Sequence, residues 1–572
     1  AGGPGAAAGG GPVTVSSEED SPDRLLASSA VMAAGTMVSR LSGYVRTLLL
    51  GAAIGNVLHA DLFTIGNTVP NMLYILLAGG VFNAVLVPQL VRSMRNDADG
   101  GEAYTNRVIT LAAIFLAAVS VVLVVAAPWL MSVFLSPDYD KPALAQQRES
   151  IVAFARYCLP QVFFYGMFAL VGQVLNARRR FGPMMWAPIA NNLVSVVVLV
   201  GYLVYYGPVS DRDLCAPYSG GQEAWLGLGA TAGIAVQLLV LVPFLRSAGF
   251  HYRPRFDFRG TGLSHTLRLG LWTVLFVIVN QVAYAIVVRL ASGGTTQVLA
   301  GCGNGTPADA TGYTVYANTF LIVMVPHAII TVSLATAMLP LLSAQASARD
   351  LPGLAASLGG VLRTALAVVL PFAVLLPIIA PDLAVMLWKY GGASSTYGLY
   401  IRSLSLFGIG VVFFTVHYLV LRGFYALERN RTVFWIQCAV AATNIVAAVV
   451  LVARTDAEHT APALVVAYAA SYVVGSAISY LVLRRTLGGL GTPELVRFLV
   501  RLVIITAVAT GVALALALVL PGRDEPSHLV ALMRLVIVGG ADVAVFLVLA
   551  RAFRITEVTA VLDTVTRRVR RT

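Results

Sequence analysis

Apolar runs of 18 or more residues recur along the whole length of this chain. A run of this length crosses a hydrocarbon core of about 30 Å as a helix. The runs are continuously apolar and do not alternate with polar residues, which argues against a membrane β-barrel. Only 12% of the residues are charged, whereas soluble domains average about 25%. The chain is therefore predicted to be an all-α polytopic membrane protein.

Fourteen runs are long enough to be membrane spans. Their approximate limits are 25–54, 60–91, 107–136, 149–177, 183–206, 224–245, 266–291, 313–343, 354–379, 396–421, 432–453, 461–483, 497–520 and 528–550. We predict a disordered cytoplasmic tail (1–24), an N-terminal lobe of six helices (25–245), a cytoplasmic linker (246–265), a C-terminal lobe of six helices (266–483), two further helices (484–550) and a basic cytoplasmic tail (551–572).

The division into two lobes follows from a repeat. The second span reads GNTVPNMLYILLAGGVFNAVLVPQL and the eighth reads ANTFLIVMVPHAIITVSLATAMLPLL. Each has Asn-Thr near its start, an interior proline (Pro70, Pro326) and Pro-x-Leu near its other end. The offset of about six spans predicts two lobes related by an axis along the membrane normal. The alternative is that proline and small residues are simply common in membrane helices.

Loop charge predicts the orientation. With the N-terminus in the cytoplasm, the inside segments carry 27 of the 39 basic residues and the outside loops carry seven. Basic residues concentrate on the cytoplasmic side of membrane proteins, so both termini are predicted to be cytoplasmic. The net charge of +12 is explained by these loops, and no nucleic-acid partner is expected.

Two cysteines, Cys215 and Cys302, fall in predicted outside loops. An oxidising exterior permits a disulfide between them, and two free thiols are the alternative. Cys158 and Cys438 fall within spans, where we expect them to act as apolar packing residues.

The first span contains two arginines, Arg40 and Arg46, and no acidic residue occurs between Asp23 and Asp61. A charge at the bilayer centre costs at least about 2.5–3.5 kcal/mol, so we expect both guanidinium groups to face a cavity or a partner. Six residues place them about 120° apart on an ideal helix, and one groove can reach both because arginine is long. The alternative for Arg40 is that it snorkels to the inner interface.

The spans contain five arginines and almost no carboxylates, which indicates an anionic substrate. The planar fork of arginine suits phosphate. A cation-coupled drug exporter would need carboxylates within the membrane, and it is kept as one alternative. A membrane scaffold without transport activity is the other. The sequence has neither a phosphate-binding glycine-rich loop nor a metal-ligand cluster, so neither an enzyme nor a cofactor is predicted.

Several segments resemble the MurJ (MviN) family, the lipid II flippases of the multidrug/oligosaccharidyl-lipid/polysaccharide (MOP) exporter superfamily. The resemblance lies in SRLSGYVRTLLLGAAIGNVLHADLFTIGNTVPNMLYILLAGGVFNAVLVPQLVR (39–92), NARRRFGPMMWAPIANNLV (176–194), YANTFLIVMVPHAIITVSLATAMLPLLS (316–343) and LRGFYALERNRTVFW (421–435). The arginine-rich, lysine-poor composition resembles actinobacterial members. Some of these continue into a cytoplasmic pseudokinase-like domain, and the resemblance implies that LDTVTRRVRRT begins a linker to one.

The resemblance also implies candidate substrate-binding residues. The two first-span arginines of the family match Arg40 and Arg46, and its acidic residue at the start of the second span matches Asp61. The family's PNLLRR is PNMLYI here, which retains Asn71 and replaces an arginine with Tyr74.

In the eighth span, the family's YADRL is YANTF here. An arginine is thereby replaced by Thr319, beside Asn318. The loss of two cations argues against a simple cage of arginines. We expect Tyr74, Asn318 and Thr319 to donate neutral hydrogen bonds to phosphate or sugar instead.

The activity implied is flipping of lipid II, the undecaprenyl-diphosphate-linked disaccharide pentapeptide, from the inner to the outer leaflet of the bacterial cytoplasmic membrane. Alternating access between two lobes would move the head group, with Arg40 and Arg46 holding the diphosphate and membrane lipids surrounding the tail. Each negative charge that leaves the negative interior gains about 2.3 kcal/mol per 100 mV, which favours export without ATP.

Overall fold

The computed structural model describes residues 22–76, 93, 99, 101–178, 180, 182–210, 213, 216–257, 263–298, 309–522 and 526–558. Within these residues the chain is helical apart from short connections and contains no strand. Three parts of the sequence lie outside the described residues: Cys215 and Cys302, for which a disulfide and two free thiols are the alternatives, most of the predicted N-terminal tail, and residues 559–572.

The described residues form eighteen α-helices, which we number in chain order. They are α1 Pro22–Ile54, α2 Leu58–Tyr74, α3 Glu102–Val125, α4 Ala127–Phe134, α5 Ala145–Cys158, α6 Gln161–Ala177, α7 Gly182–Tyr206, α8 Gly220–Leu239, α9 Leu241–Ser247, α10 Leu263–Gly294, α11 Tyr313–Val323, α12 Val332–Ser347, α13 Leu351–Trp388, α14 Leu399–Ala426, α15 Asn430–Val452, α16 Thr460–Leu487, α17 Thr492–Val519 and α18 His528–Ala552.

These helices confirm the predicted fold class. Twelve segments of the described chain are long and apolar enough to cross a membrane, and α1 and α2 lie at the first two predicted spans. Within the described residues, thirteen of the fourteen predicted spans correspond to one helix or to one interrupted helix, and the start of the second span, up to residue 74, is helical.

Within the described residues, four spans are interrupted, and proline lies at or near three of the breaks. Pro128 lies just after the break between α3 and α4, and Pro160 lies within the break between α5 and α6. Pro326 precedes a π-helical turn, His327–Thr331, that joins α11 to α12. Proline has no amide hydrogen and its ring clashes with the preceding turn, so an apolar run can continue while its helix breaks. The break between α8 and α9 follows Leu239 and has no proline within it.

The N-terminal half (α1–α9) and the C-terminal half (α10–α18) are joined by hydrogen bonds at one end of the bundle, which we call the closed end. It contains the end of α1, the start of α2, the end of α10, the start of α11 and the loop between α13 and α14. Asn56 donates to the Ala393 carbonyl at 3.4 Å and accepts from the Tyr400 hydroxyl at 3.0 Å. Elsewhere at this end, the Ser136 amide donates to Ser292 Oγ at 2.8 Å.

Apolar packing also joins the halves at the closed end. One cluster of buried residues combines the end of α1 and the start of α2 with α10, α11, α13 and α14, and Tyr139, Phe154 and Tyr400 are fully buried within it. Gly391 lies against the backbone of Ala52 and has φ of 50°. A side chain here would be strained and would also strike α1, so glycine permits this close approach.

Candidate functional site

A cavity of about 630 Å³ lies between the two halves. Its wall on the N-terminal side is formed by α1, α2, α6, α7 and α8, and its wall on the C-terminal side by α10, α11, α15 and α16. Each wall therefore contains the first two helices of its half, which are α1 and α2 on the N-terminal side and α10 and α11 on the C-terminal side. The volume falls within the range of small-molecule binding sites.

Arg46 lies in the wall of this cavity, with Thr47 and Leu50 of the same helix. It is half-buried and lies close enough to the Tyr165 hydroxyl to interact with it electrostatically. Within the described part of the chain, Arg46 makes no ion pair or hydrogen bond, and it is the only charged residue among the described residues that line the cavity. A guanidinium group without a carboxylate partner is available to an anionic ligand.

Arg40 is exposed and is not among the residues that line the cavity. Six residues rotate a helix by about 600°, so the two arginines project in different directions. The turn of α1 that surrounds Arg40 faces α7 instead of the cavity. Asn192 donates to the Ser39 carbonyl and to Ser42 Oγ, both at 2.9 Å. The structure therefore places Arg46, and not Arg40, at the cavity.

Asp61 is fully buried at the closed end, where it holds the start of α11. Its Oδ2 accepts hydrogen bonds from Thr295 Oγ1 at 2.9 Å and from the Tyr313 amide at 3.0 Å. Its Oδ1 accepts from the Thr314 amide at 2.7 Å. The first amides of a helix lack partners within the helix and favour a negative charge. Asp61 of the N-terminal half thus caps a helix of the C-terminal half.

The two candidate residues near the end of α2 lie differently. Asn71 is exposed and lines the cavity. Tyr74 is half-buried and stacks on Tyr165, with ring centroids 4.8 Å apart. Tyr165 lines the cavity and Tyr74 is not among the lining residues, so Tyr74 supports the wall from behind.

The two candidate residues of α11 also separate. Asn318 lines the cavity, and its Nδ2 donates to the Tyr400 hydroxyl at 3.2 Å. Thr319 is completely buried, and its hydroxyl donates to the Val315 carbonyl at 2.7 Å. The Thr319 hydroxyl is thus engaged within α11, and Thr319 is not among the lining residues although its neighbours Asn318 and Phe320 are.

Most polar residues of the cavity are uncharged, and apart from Asn71 and Asn318 these were not predicted from the sequence. The lining includes nine amides and six tyrosines: Asn67, Asn71, Gln161, Asn191, Asn280, Gln281, Asn318, Gln437 and Asn444, with Tyr165, Tyr284, Tyr313, Tyr316, Tyr468 and Tyr472. The sequence does contain a signal for these residues, which is the position of several amides in the middle of apolar spans. A polar side chain in a membrane helix usually faces the bundle interior or a cavity.

Hydrogen bonds among these side chains connect neighbouring helices. Thr68 of α2 donates to the Tyr313 hydroxyl at 2.9 Å, and that hydroxyl lies 2.5 Å from the Tyr284 hydroxyl. Gln161 of α6 donates to Asn67 of α2 at 2.9 Å. The polar lining is therefore ordered as well as buried. In the described chain, no group of three or more His, Cys, Asp or Glu is placed to hold a metal ion.

Comparisons with known proteins assign the family. The family described as "Lipid II flippase MurJ" matches residues 50–524. A "Probable lipid II flippase MurJ" of Rhizobium meliloti (strain 1021) is 25% identical over 444 residues, which cover 77% of this chain and 77% of the relative. The "Lipid II flippase MurJ" of Burkholderia cenocepacia is 26% identical over 403 residues, which cover 69% of this chain and 72% of the relative.

Solved structures agree on the fold. A structure described as "Lipid II flippase MurJ, inward closed conformation" has a TM-score of 0.68 at 14% identity and covers 92% of this chain and 98% of that chain. An inward-facing multidrug resistance MATE family transporter of the MOP superfamily has a TM-score of 0.60 at 14% identity and covers 81% of this chain and 99% of that chain. The family match extends over most of the chain, and so this multi-pass membrane protein belongs to the MurJ family of lipid II flippases.

Proposed function

We propose that this protein flips lipid II from the inner to the outer leaflet of the bacterial cytoplasmic membrane. The observation that carries the proposal is the position of Arg46, an unpaired cation among the described residues, in the wall of a cavity between the two halves. Its guanidinium group would donate two parallel hydrogen bonds to the diphosphate. The surrounding amides and tyrosines suit the hydroxyl and amide groups of a disaccharide peptide.

The mechanism proposed is alternating access. With the N-terminus in the cytoplasm, as the loop charges predict, the closed end faces outside. The head group would enter the cavity from the inner side while Asp61 holds the start of α11. Release of these bonds would separate the halves at the closed end and expose the cavity to the outer side.

The prenyl tail would remain in the bilayer. The last two helices, α17 and α18, present a broad apolar surface for it, with Val500, Val503, Ile504, Val536 and Val548 exposed. Burial of each methylene group in lipid is worth about 0.8 kcal/mol, so a long tail is retained in the membrane while the head group crosses.

The membrane potential would favour transport of the head group in the outward direction. Each negative charge that leaves the cytoplasm gains about 2.3 kcal/mol per 100 mV. The alternative of a cation-coupled exporter lacks support in the cavity, because the described lining residues include no carboxylate.

The test is complementation of a strain depleted of its own flippase, with lipid II measured in each leaflet. The wild-type chain should prevent accumulation in the inner leaflet, and Arg46→Ala should fail to do so at equal expression. Arg46→Lys should be impaired, because a point charge does not reproduce the bidentate fork. Arg156→Ala is the matched control, since Arg156 is an exposed residue outside the cavity and should complement fully. Accumulation of lipid II in cells that produce the wild-type chain would refute the proposal.

A further inference from the structure

The wall of the cavity on the C-terminal side is neutral. Its described residues include no aspartate, glutamate, lysine or arginine. They include five amides, which we call the amide wall: Asn280, Gln281, Asn318, Gln437 and Asn444. These residues come from α10, α11 and α15, so the wall is assembled from three helices and does not depend on one local motif.

Two side chains of the amide wall hydrogen-bond to each other, and one acceptor atom of the wall has no partner among the described residues. Gln437 Nε2 donates to Asn280 Oδ1 at 2.7 Å, which fixes the orientation of both side chains. Asn444 Oδ1 is buried and has no partner in the described part of the chain. A buried acceptor without a donor is unfavourable. Asn444 itself lines the cavity, so a rotation of its side-chain amide would present this acceptor to an N–H group of a ligand.

The positive charge of the cavity is on the opposite side. Arg46 belongs to α1 in the N-terminal half, and it is the single charged residue among the described lining. Under the proposed function, one guanidinium group faces a diphosphate that carries more negative charge than it can neutralise. No cation of the described lining is then left for the carboxylates of the peptide part of the head group.

A carboxylate and a primary amide differ sharply in the free energy of binding to such a wall. A carboxylate that enters the cavity loses its hydration, and without a cation it is unfavourable even when neutral groups hydrogen-bond to it. A primary amide has nearly the same shape, carries no charge, and both donates and accepts hydrogen bonds. It can therefore donate to an acceptor such as Asn444 Oδ1 while it accepts from a neighbouring amide.

We infer that the amide wall binds the peptide part of the head group and selects lipid II whose stem-peptide carboxylates have been converted to primary amides. This inference rests on the proposed function and adds the substrate class to it. Arg46 then recognises the part that all forms of the substrate share, and the amide wall discriminates between them.

The experiment uses the full chain in liposomes and two synthetic lipid II molecules that differ only in the stem peptide. One carries free side carboxylates and the other carries primary amides at the same positions, with the terminal carboxylate kept in both. We expect the amidated form to bind and to be flipped at least tenfold better. A smaller ratio, or a preference for the acidic form, overturns the inference while flipping itself stands. Failure to flip either form would instead overturn the proposed function.

Two variants test whether the amide wall is the part of the cavity that distinguishes amidated from acidic lipid II. Asn444→Lys places a cation in the amide wall and should bring the preference down at least tenfold or reverse it. Arg46→Ala should weaken binding of the two lipid II forms by the same factor, because both contain the diphosphate. An unchanged preference in a folded Asn444→Lys protein overturns the assignment to this wall. If Asn444→Lys does not fold, Asn444→Asp decides, because an added carboxylate should widen the preference for the amidated form.

Discussion

Asp61→Asn tests the closed end directly. Asp61 accepts three hydrogen bonds from the C-terminal half, and two of them come from amides in the first turn of α11. Asparagine has nearly the same shape but only one acceptor oxygen. Its amide nitrogen must therefore face either the Thr314 amide or the pair formed by Thr295 and the Tyr313 amide, and a donor that faces a donor makes no bond.

The expected cost follows from these contacts. One unsatisfied buried amide costs about 1–3 kcal/mol, and the remaining bonds lose the contribution of a charged acceptor. Removal of a buried charge offsets part of this loss. The closed end should therefore be weakened by about 3 kcal/mol, which corresponds to a shift of roughly 100-fold in the equilibrium between closed and open forms.

The assay measures the distance between two spin labels at the ends of α7 and α17, at the exposed positions Val204 and Val519, in protein without its native cysteines. Asp61→Asn should add a population with longer distances. Thr295→Val removes a single donor to the Asp61 carboxylate, costs about 1.5 kcal/mol and should produce a smaller change. Identical distance distributions for wild type and Asp61→Asn would show that these bonds do not hold the halves together.

Three further predictions follow from other contacts. Gly312→Ala should reproduce the label distances of Asp61→Asn, because a methyl group on residue 312 would clash with the Asp61 carboxylate; wild-type distances would contradict the account. Arg534→Met should destabilise the protein by about 3–5 kcal/mol, because it leaves Asp382 buried and unpaired; thermal unfolding should show recovery when Asp382→Leu is added. Hydrogen bonding from Arg107 of α3 lowers the pKa of Asp257, which lies in the connection between α9 and α10. The lowered pKa means that this contact is present above the usual pKa of aspartate and is lost as the pH falls through the lowered value. Hydrogen exchange of residues 250–257 should therefore rise only in strong acid, whereas Asp257→Asn should raise it at neutral pH.

The helices were predictable because one effect dominates them. An apolar run long enough to cross a bilayer has few other stable positions. The eleventh span, predicted over 432–453, is α15, Asn430–Val452, and the fifth, predicted over 183–206, is α7, Gly182–Tyr206. The breaks within four spans were missed, because hydropathy measures the affinity of a segment for lipid and is insensitive to local backbone geometry.

Pairing across the fold was not predictable from one sequence. Arg534 lies near the start of the fourteenth predicted span, and Asp382 lies just beyond the predicted end of the ninth. The structure places them on α18 and α13, both buried, with Arg534 Nε 3.0 Å from Asp382 Oδ1. Each charge would be costly in an apolar environment alone, and the pair makes burial tolerable. They lie 152 residues apart in the sequence, and neither local pattern indicates the other.

The site was predictable in part for a similar reason. The cost of an intramembrane charge drew attention to both Arg40 and Arg46, but only Arg46 lines the cavity. Which of the two faces inward depends on the rotation of α1 against α7, and that rotation is set by packing such as the contact between Gly43 and Asn192. Amides such as Asn280 were missed because each looks unremarkable by itself and becomes informative only when several helices bring them together.

The role of Arg46 is tested by measuring the transfer of lipid II across the membrane of liposomes that contain the purified protein. Transfer is detected as accessibility of the lipid II head group to a reagent outside the liposomes. The wild-type chain should make lipid II accessible, and Arg46→Ala should slow this transfer by about 100-fold, because two charge-assisted hydrogen bonds of at least about 1.5 kcal/mol each are lost. Its melting temperature should equal or exceed that of the wild type, since a costly charge has been removed. Transfer by Arg46→Ala at the wild-type rate would contradict the claim that Arg46 binds the substrate.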